Sequence, residues 1–365
     1  MSVAEIARIA GVSVATVSRV LNNHPRVRPE TAQQVKRVLD DLGYVRPIIR
    51  RGPRLGRRNG RTTGTIAVMA LGDPGHARFR LPLFAGVLDG IVRAARDQDL
   101  NTLVDTVGGP HELSPAVRDG EVDGALYVGS PLIEPFLSFM NLIKQQVPVV
   151  RVMGDALGMV DIDHVGPDNL TVGLLAYQYL AQRGCNPVAF VSTTPPRDVI
   201  RTRAMGFIAA ANENGVMPDC YVVHSSDANA QFSGNNVVQC QSPDDLAMRL
   251  VSASPRPSGI FISRDADALE IQPRLQKLGV RVGEDLTIVS CDNDEVRLGL
   301  LDPKPASIDL CTEEIGRHAL HRLVGRIRKP DEHPVRLLVL PRLTLGSAPP
   351  SWERSDHASG TLEAE

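Results

Sequence analysis

Hydrophobic residues change their spacing twice along the chain. Up to about residue 42 they recur every three or four positions: Ile6, Ile9 and Ala10, then Val17, Val20 and Leu21, then Val35, Val38, Leu39 and Leu42. That period lays apolar side chains along one face of a helix, so three short amphipathic helices are expected. Ser2 and Glu5 form a capping box that starts the first. Gly11 stands where a left-handed helix cap needs a residue without Cβ, the chain turns at Gly11-Val12, and Ser13 can cap a second helix running to about Asn22. The third helix, roughly Pro29 to Leu42, closes a core that two short helices cannot enclose, and Gly43-Tyr44 ends it. Helix, Gly-centred turn and helix is the layout of a helix-turn-helix. The outward face of the second helix carries Val14, Ala15, Thr16, Ser18, Arg19 and Asn22, a small, hydroxylated and basic surface that a major groove admits. A bare three-helix bundle would show the same stripes.

From Thr63 the grammar becomes short apolar runs alternating with amphipathic segments, the pattern of parallel βα units. Runs from Gly64, Asn101, Asp123 and Val147 predict one sheet. Runs from Asn186, Cys220, Gly259 and Asp285 predict a second. A stretch of about 280 residues in two groups of four strands predicts two doubly wound lobes. Ligands in such sheets sit beyond the carboxyl ends of the strands, here between the lobes. Asp73, Asp105, Ser130, Thr193, Ser225, Asp265 and Asp292 are placed at those ends. Between Arg46 and Gly64 neither pattern holds: seven arginines, two prolines and four glycines fall there. Gly and Pro cost about 1 and 3 kcal/mol in a helix interior relative to Ala. Two readings stand, a solvated flexible linker and an arginine-rich arm on phosphates or in the minor groove.

Charge separates the two regions. Up to Arg61 the chain holds 13 basic and 4 acidic residues, a balance of +9, against −11 for the remaining 304 residues, within a total of −2. A basic head on an acidic body is the footprint of a nucleic-acid binder. The five cysteines form no CxxC pair and are odd in number, which reads as reduced thiols in a cytoplasmic protein. His318 and His321 sit three apart on an expected helix with no third ligand in reach, so no metal is assigned, and no cofactor is expected. No Gly-x-Ser-x-Gly elbow, phosphate-binding loop or dinucleotide fingerprint occurs, so an enzyme is not expected. There is no 18-residue apolar run or signal peptide, so no membrane partner is expected.

The stretch AEIARIAGVSVATVSRVLNNHPRV, followed by ETAQQVKRVLDDLGY, resembles the headpiece of the LacI/GalR transcriptional repressors without gaps over about 40 residues. HVGPDNLTVGLLAYQYLAQRGCNPVAFVS, RTRAMGFIAAANENGV, DLTIVSCDND and PRLTLGS resemble segments of that family's effector domain, itself similar to periplasmic sugar-binding proteins. The resemblance implies an all-α headpiece over residues 1–45, a hinge or linker over 46–63 and a two-lobed effector-binding and dimerisation domain over 64–346. One lobe would take about 64–166 and 297–327, the other about 167–296 and 328–346, and a polar, disordered tail would follow over 347–365.

It further implies a homodimer on a double-stranded, pseudo-palindromic operator, with a small polar effector, sugar-like or purine-like, in the cleft. For DNA it implies base contacts from Val14, Ala15 and Arg19, phosphate contacts from Ser2, Ser13, Thr16, Ser18, Asn22 and Thr31, and backbone contacts from Arg26 and Arg28. For the effector it implies Phe84, Arg197, Arg203, Asp265 and Asp292. Departures exist. The strand ending at Met153 lacks the Asp of sugar-responsive members, Arg264 stands where Asn or another small polar residue is usual, and Leu345 replaces a common arginine. A DNA binder without effector response and a cytoplasmic small-molecule-binding protein are the alternatives.

Overall fold

A computed structural model of the chain describes residues 3–21, 27–41, 63–71, 82–107, 113–129, 135–155, 161–194, 198–223 and 236–347. The chain divides into two units, Met1–Arg57 and Arg58–Glu365.

The smaller unit contains α1 (Val3–Ile9), α2 (Val14–Leu21) and α3 (Pro29–Asp41). Gly11 adopts φ +62° at the turn, a conformation that carries a steric penalty for residues with a Cβ. Ser13 caps α2, its Oγ accepting from Thr16 N at 3.1 Å. Gln34 Nε2 donates to the Ala10 carbonyl at 3.1 Å and ties α3 to the end of α1. Ile6, Ala7, Ala10, Val17, Val20 and Val35 form the core. Ile9, placed in that core by periodicity, is 48% exposed; Ala7, one position after Ile6, packs inward instead. Arg28 flanks α3, its carbonyl accepting from Ala32 N at 3.0 Å. Pro29 is therefore the first helical residue, where its missing N–H costs nothing. Leu42 and, of the hinge expected over 46–63, all but residue 63 lie outside the described residues.

The larger unit holds two sheets. The first has the order β12 (Arg336–Val339), β5 (Asp163–Pro167), β4 (Val149–Val152), β3 (Gly124–Val128), β1 (Thr65–Leu71), β2 (Asn101–Val107), every pairing parallel. The second runs β13 (Arg342–Thr344), β11 (Ala306–Asp309), β10 (Thr287–Cys291), β9 (Gly259–Ile262), β6 (Val188–Ser192), β7 (Asp219–Val223), β8 (Val237–Cys240), parallel except that β13 is antiparallel to β11. Central strands such as β3 and β6 are buried at every position. Helices on both faces explain why they read as unbroken apolar runs.

Each lobe is discontinuous. The chain leaves the first sheet after β5 and enters α7 (Asn169–Gln182), which packs on β9, β10 and β11. It returns between β11 and α12 (Thr312–Arg328), and crosses a third time between β12 and β13. This corrects the lobe boundaries drawn from the sequence. Residues 306–309 belong to the second sheet, because Ala306, Ser307 and Ile308 pair with Val289, Ser290 and Cys291 of β10. Residues 336–339 belong to the first, because they pair with β5. Asp105 likewise lies inside β2, not at its end. Among the described residues no helix is long and apolar enough to cross a membrane.

Two helix crossings set the geometry near the strand ends. α4 (Pro82–Arg96) packs against α12 in the first lobe, and α7 against α8 (Asp198–Glu213) in the second. A Cβ on Gly173 of α7 would lie 2.0 Å from the Arg203 carbonyl oxygen and 2.4 Å from Phe207 N. Only glycine lets α7 and α8 approach this closely. Gly173→Ala is expected to cost about 1–3 kcal/mol in urea unfolding. Gly325→Ala in α12, where a Cβ meets nothing within 4 Å, should leave stability unchanged or raise it; equal effects of the two substitutions would refute the close-approach argument.

Candidate functional site

On the headpiece, Ser13, Val14, Arg19 and Arg28 are exposed and Thr16 and Thr31 half-buried. Val14 leaves half of its surface open to solvent, although an apolar residue gains by burial. Arg19 stands one helical turn after Ala15, so a helix laid in a groove presents both positions together. Ser2, Asn22 and Arg26 lie outside the described residues, as do the side chains of Ala15 and Ser18.

The second candidate site gathers at the carboxyl ends of β9 and β10. Arg203, on α8, is 3% exposed. Its Nη1 donates to the Ser263 carbonyl at 2.7 Å and to Asp292 Oδ1 at 3.2 Å, and its Nε donates to Asn169 Oδ1 at 3.1 Å. Burial opposes the charge on this guanidinium, while Cys291, Asp292 and Asp265 support it and leave its pKa above the ordinary value. Asp292 directly follows β10 with φ 114°, and Asn293 comes next at φ 51°. Non-glycine residues held at positive φ are costly and cluster at ligand sites. Burial raises the Asp292 pKa, against the pull of Arg203 and Arg264.

Asp265, expected at the effector, is fully enclosed. Ser290 Oγ and Ser307 Oγ donate to its Oδ1 at 2.5 and 2.8 Å, and Asp294 N donates to its Oδ2 at 2.7 Å. Its carboxylate therefore fastens the 292–294 loop from inside the lobe. Burial and the charge of Asp292 push its pKa up to about 7. Its neighbour Asp267 accepts from Ser263 Oγ at 2.6 Å, from Thr193 Oγ1 at 2.9 Å and from Arg264 Nη2 at 2.5 Å. Arg264, the departure noted in the sequence, is thus neutralised within one turn and also reaches Thr194 Oγ1.

The lobes touch beside Arg203. Thr202 Oγ1 donates to Asp155 Oδ2, in the loop that follows β4. That loop holds Met153 at φ 69° and Gly154 at φ 73°, and His164 Nε2 donates to the Met153 carbonyl at 3.2 Å. Burial and the Arg151 charge lower the His164 pKa to about 4, so this ring is neutral at pH 7. Phe84 is buried in the first turns of α4; Arg197, Asp73, Ser130 and Ser225 lie outside the described residues. Periodicity and strand ends did not reveal Asn169, Asp267, Thr202 or Asp155. The one available signal was the Asp168-Asn169 pair in the family-like segment that begins HVGPDN, where Asp168 caps α7 by accepting from Thr171 N at 3.1 Å. Among the described residues no group of three or more His, Cys, Asp or Glu could hold a metal ion.

Residues 2–47 match the family described as bacterial regulatory proteins, lacI family, and residues 177–348 match the periplasmic binding protein-like domain. The headpiece is thus a lacI-family domain, and the larger unit carries a periplasmic binding protein-like domain. The chain is 25% identical over 334 residues to the HTH-type transcriptional repressor PurR of Vibrio atlanticus, covering 90% of this chain and 93% of that one. Its fold is similar to that of a transcriptional regulator CelR–cellobiose complex, with TM-score 0.63 and 24% identity over 96% of this chain and all of the other. It is also similar to a lac repressor dimer bound to operator and an anti-inducer, with TM-score 0.61 and 17% identity over 95% and 98% of the two chains. The protein is accordingly a DNA-binding transcriptional regulator built from a helix-turn-helix headpiece and a two-lobed α/β domain.

Proposed function

We propose that this regulator is a repressor in the cytoplasm, acting as a homodimer on a pseudo-palindromic operator and controlled by a small polar effector between the lobes. The observation that carries the reading is the pair of buried Arg203 and half-buried Asp292 at the carboxyl ends of the second sheet, one residue from the place where the lobes touch. It offers a donor and an acceptor side by side, as a sugar or purine requires. The cellobiose complex of a similar fold supports a small polar effector. Val296 and Leu300, on and just after α11 (Glu295–Leu298), are 75% and 71% exposed. They give a second copy an apolar anchor within eight residues of Asp292.

Two recognition helices of such a dimer enter successive major grooves about 34 Å apart. Three interlobe crossings permit a change of lobe angle, and an effector shifts that equilibrium only through unequal affinity for its two states, typically about 1–3 kcal/mol. The test is capture of random genomic fragments on the full-length chain at physiological salt. A compact palindrome is the expected result; salt-sensitive retention without a motif would refute specific repression. On that motif, Arg19→Ala should cost about 1–3 kcal/mol and relax preference at one base position. The same loss on every sequence would make Arg19 a phosphate contact.

A further inference from the structure

We propose that Asn169 is an effector-contacting residue, its side-chain amide nitrogen donating to the bound molecule; the inference rests on the regulator reading above. Asn169 opens α7 where the chain passes from the first lobe to the second, and it is 2% exposed. Its oxygen accepts from Arg203 Nε, which fixes the amide orientation: oxygen toward the guanidinium, nitrogen away. That Nδ2 is buried and has no acceptor among the described residues. Folded proteins leave few buried donors unmet, and such a donor calls for a specific reason.

The surroundings supply one. Asn169 and Asp292 accept from two nitrogens of the same guanidinium, and Asp292 Oδ2 accepts from no donor among the described residues, so one open donor and one open acceptor flank Arg203. Both arginines of the site already face an aspartate, Arg203 with Asp292 and Arg264 with Asp267. Each arginine charge is therefore matched by a carboxylate beside it. The complement of the site is an uncharged molecule with an acceptor and a donor on neighbouring atoms, as in adjacent hydroxyls or a carbonyl beside an N–H. The Thr202–Asp155 contact joins the lobes beside this point.

The test uses the full-length chain with ribose, cellobiose and hypoxanthine as separate probes, read by thermal melting and calorimetry. At least one probe should raise the melting temperature of the unmodified protein, and its affinity should fall about tenfold in Asn169→Asp. That variant keeps an acceptor for Arg203 Nε but loses the donor, so a purely positioning role for Asn169 would preserve binding. Asn169→Ser, which also keeps an acceptor, serves if the aspartate variant does not fold. Undiminished probe binding in the folded variant, or no response of the unmodified protein to any of the three probes, overturns the proposal. Fragment capture on the same preparations reads the headpiece separately: its loss in the unmodified protein would sink the regulator reading and not the assignment of Asn169.

Discussion

Arg203→Ala is expected to destabilise the larger unit by about 3–5 kcal/mol and to abolish the effector response while operator binding survives. Removing one member of a buried charged pair leaves the other unmatched, and the penalty for that exceeds the net worth of the pair. Here the guanidinium has three partners: truncation strands Asp292 Oδ1, the Ser263 carbonyl and Asn169 Oδ1 together. Urea unfolding measures the first effect. Retention of operator fragments, with and without effector, measures the second. A folded variant that no longer binds operator would contradict the division of labour between the two units, since no headpiece residue has been altered.

The second large effect concerns pH. The Asp265 pKa of about 7 in the folded chain compares with about 3.9 for an unfolded aspartate. Between those values the folded state holds the extra proton, so the contribution of Asp265 is fully present below about pH 4 and is lost as pH rises through about 7. Three units correspond to about 4 kcal/mol. Asp265→Asn should remove this dependence. Its oxygen can face the Asp294 N–H, and its NH2 can donate to Ser290 and Ser307, whose hydroxyls can turn to accept. The difference in unfolding free energy between the two proteins, followed from pH 4 to 8, should shift by several kcal/mol in favour of the asparagine variant. A difference that stays flat across that range would mean that Asp265 is ionised throughout.

The sequence was most legible where a short-range physical rule governs. Ser13 and Gly11 are punctuation that the backbone itself demands. Strands such as β6 could be read as continuous apolar runs because both faces of the sheet are covered. Ile9 escaped because three positions after Ile6 is too coarse a measure of a seven-residue helix. What could not be read depends on pairings across long stretches of chain. The Arg336–Val339 strand carries nothing that says whether it joins β5 or the second sheet. Asp265 follows a strand end and so looked accessible, yet serines from two neighbouring strands enclose it. Asn169 owes its place to an arginine 34 residues later, and no local pattern marks that partnership.

The interleaving of the two lobes also has a consequence for biosynthesis. β1 to β5 emerge from the ribosome early, but the strand that completes their sheet, Arg336–Val339, and the helix that covers it, Thr312–Arg328, come after almost the whole second lobe. The apolar face beneath α12 must therefore wait while about 145 further residues are made and the edge of β5 while about 170 are made, roughly 7 to 35 seconds at about 5–20 residues per second. Nascent chains stalled before residue 312 should expose that face to chaperones, whereas the headpiece, whose core is drawn from residues 6–39, can fold as soon as it clears the exit tunnel.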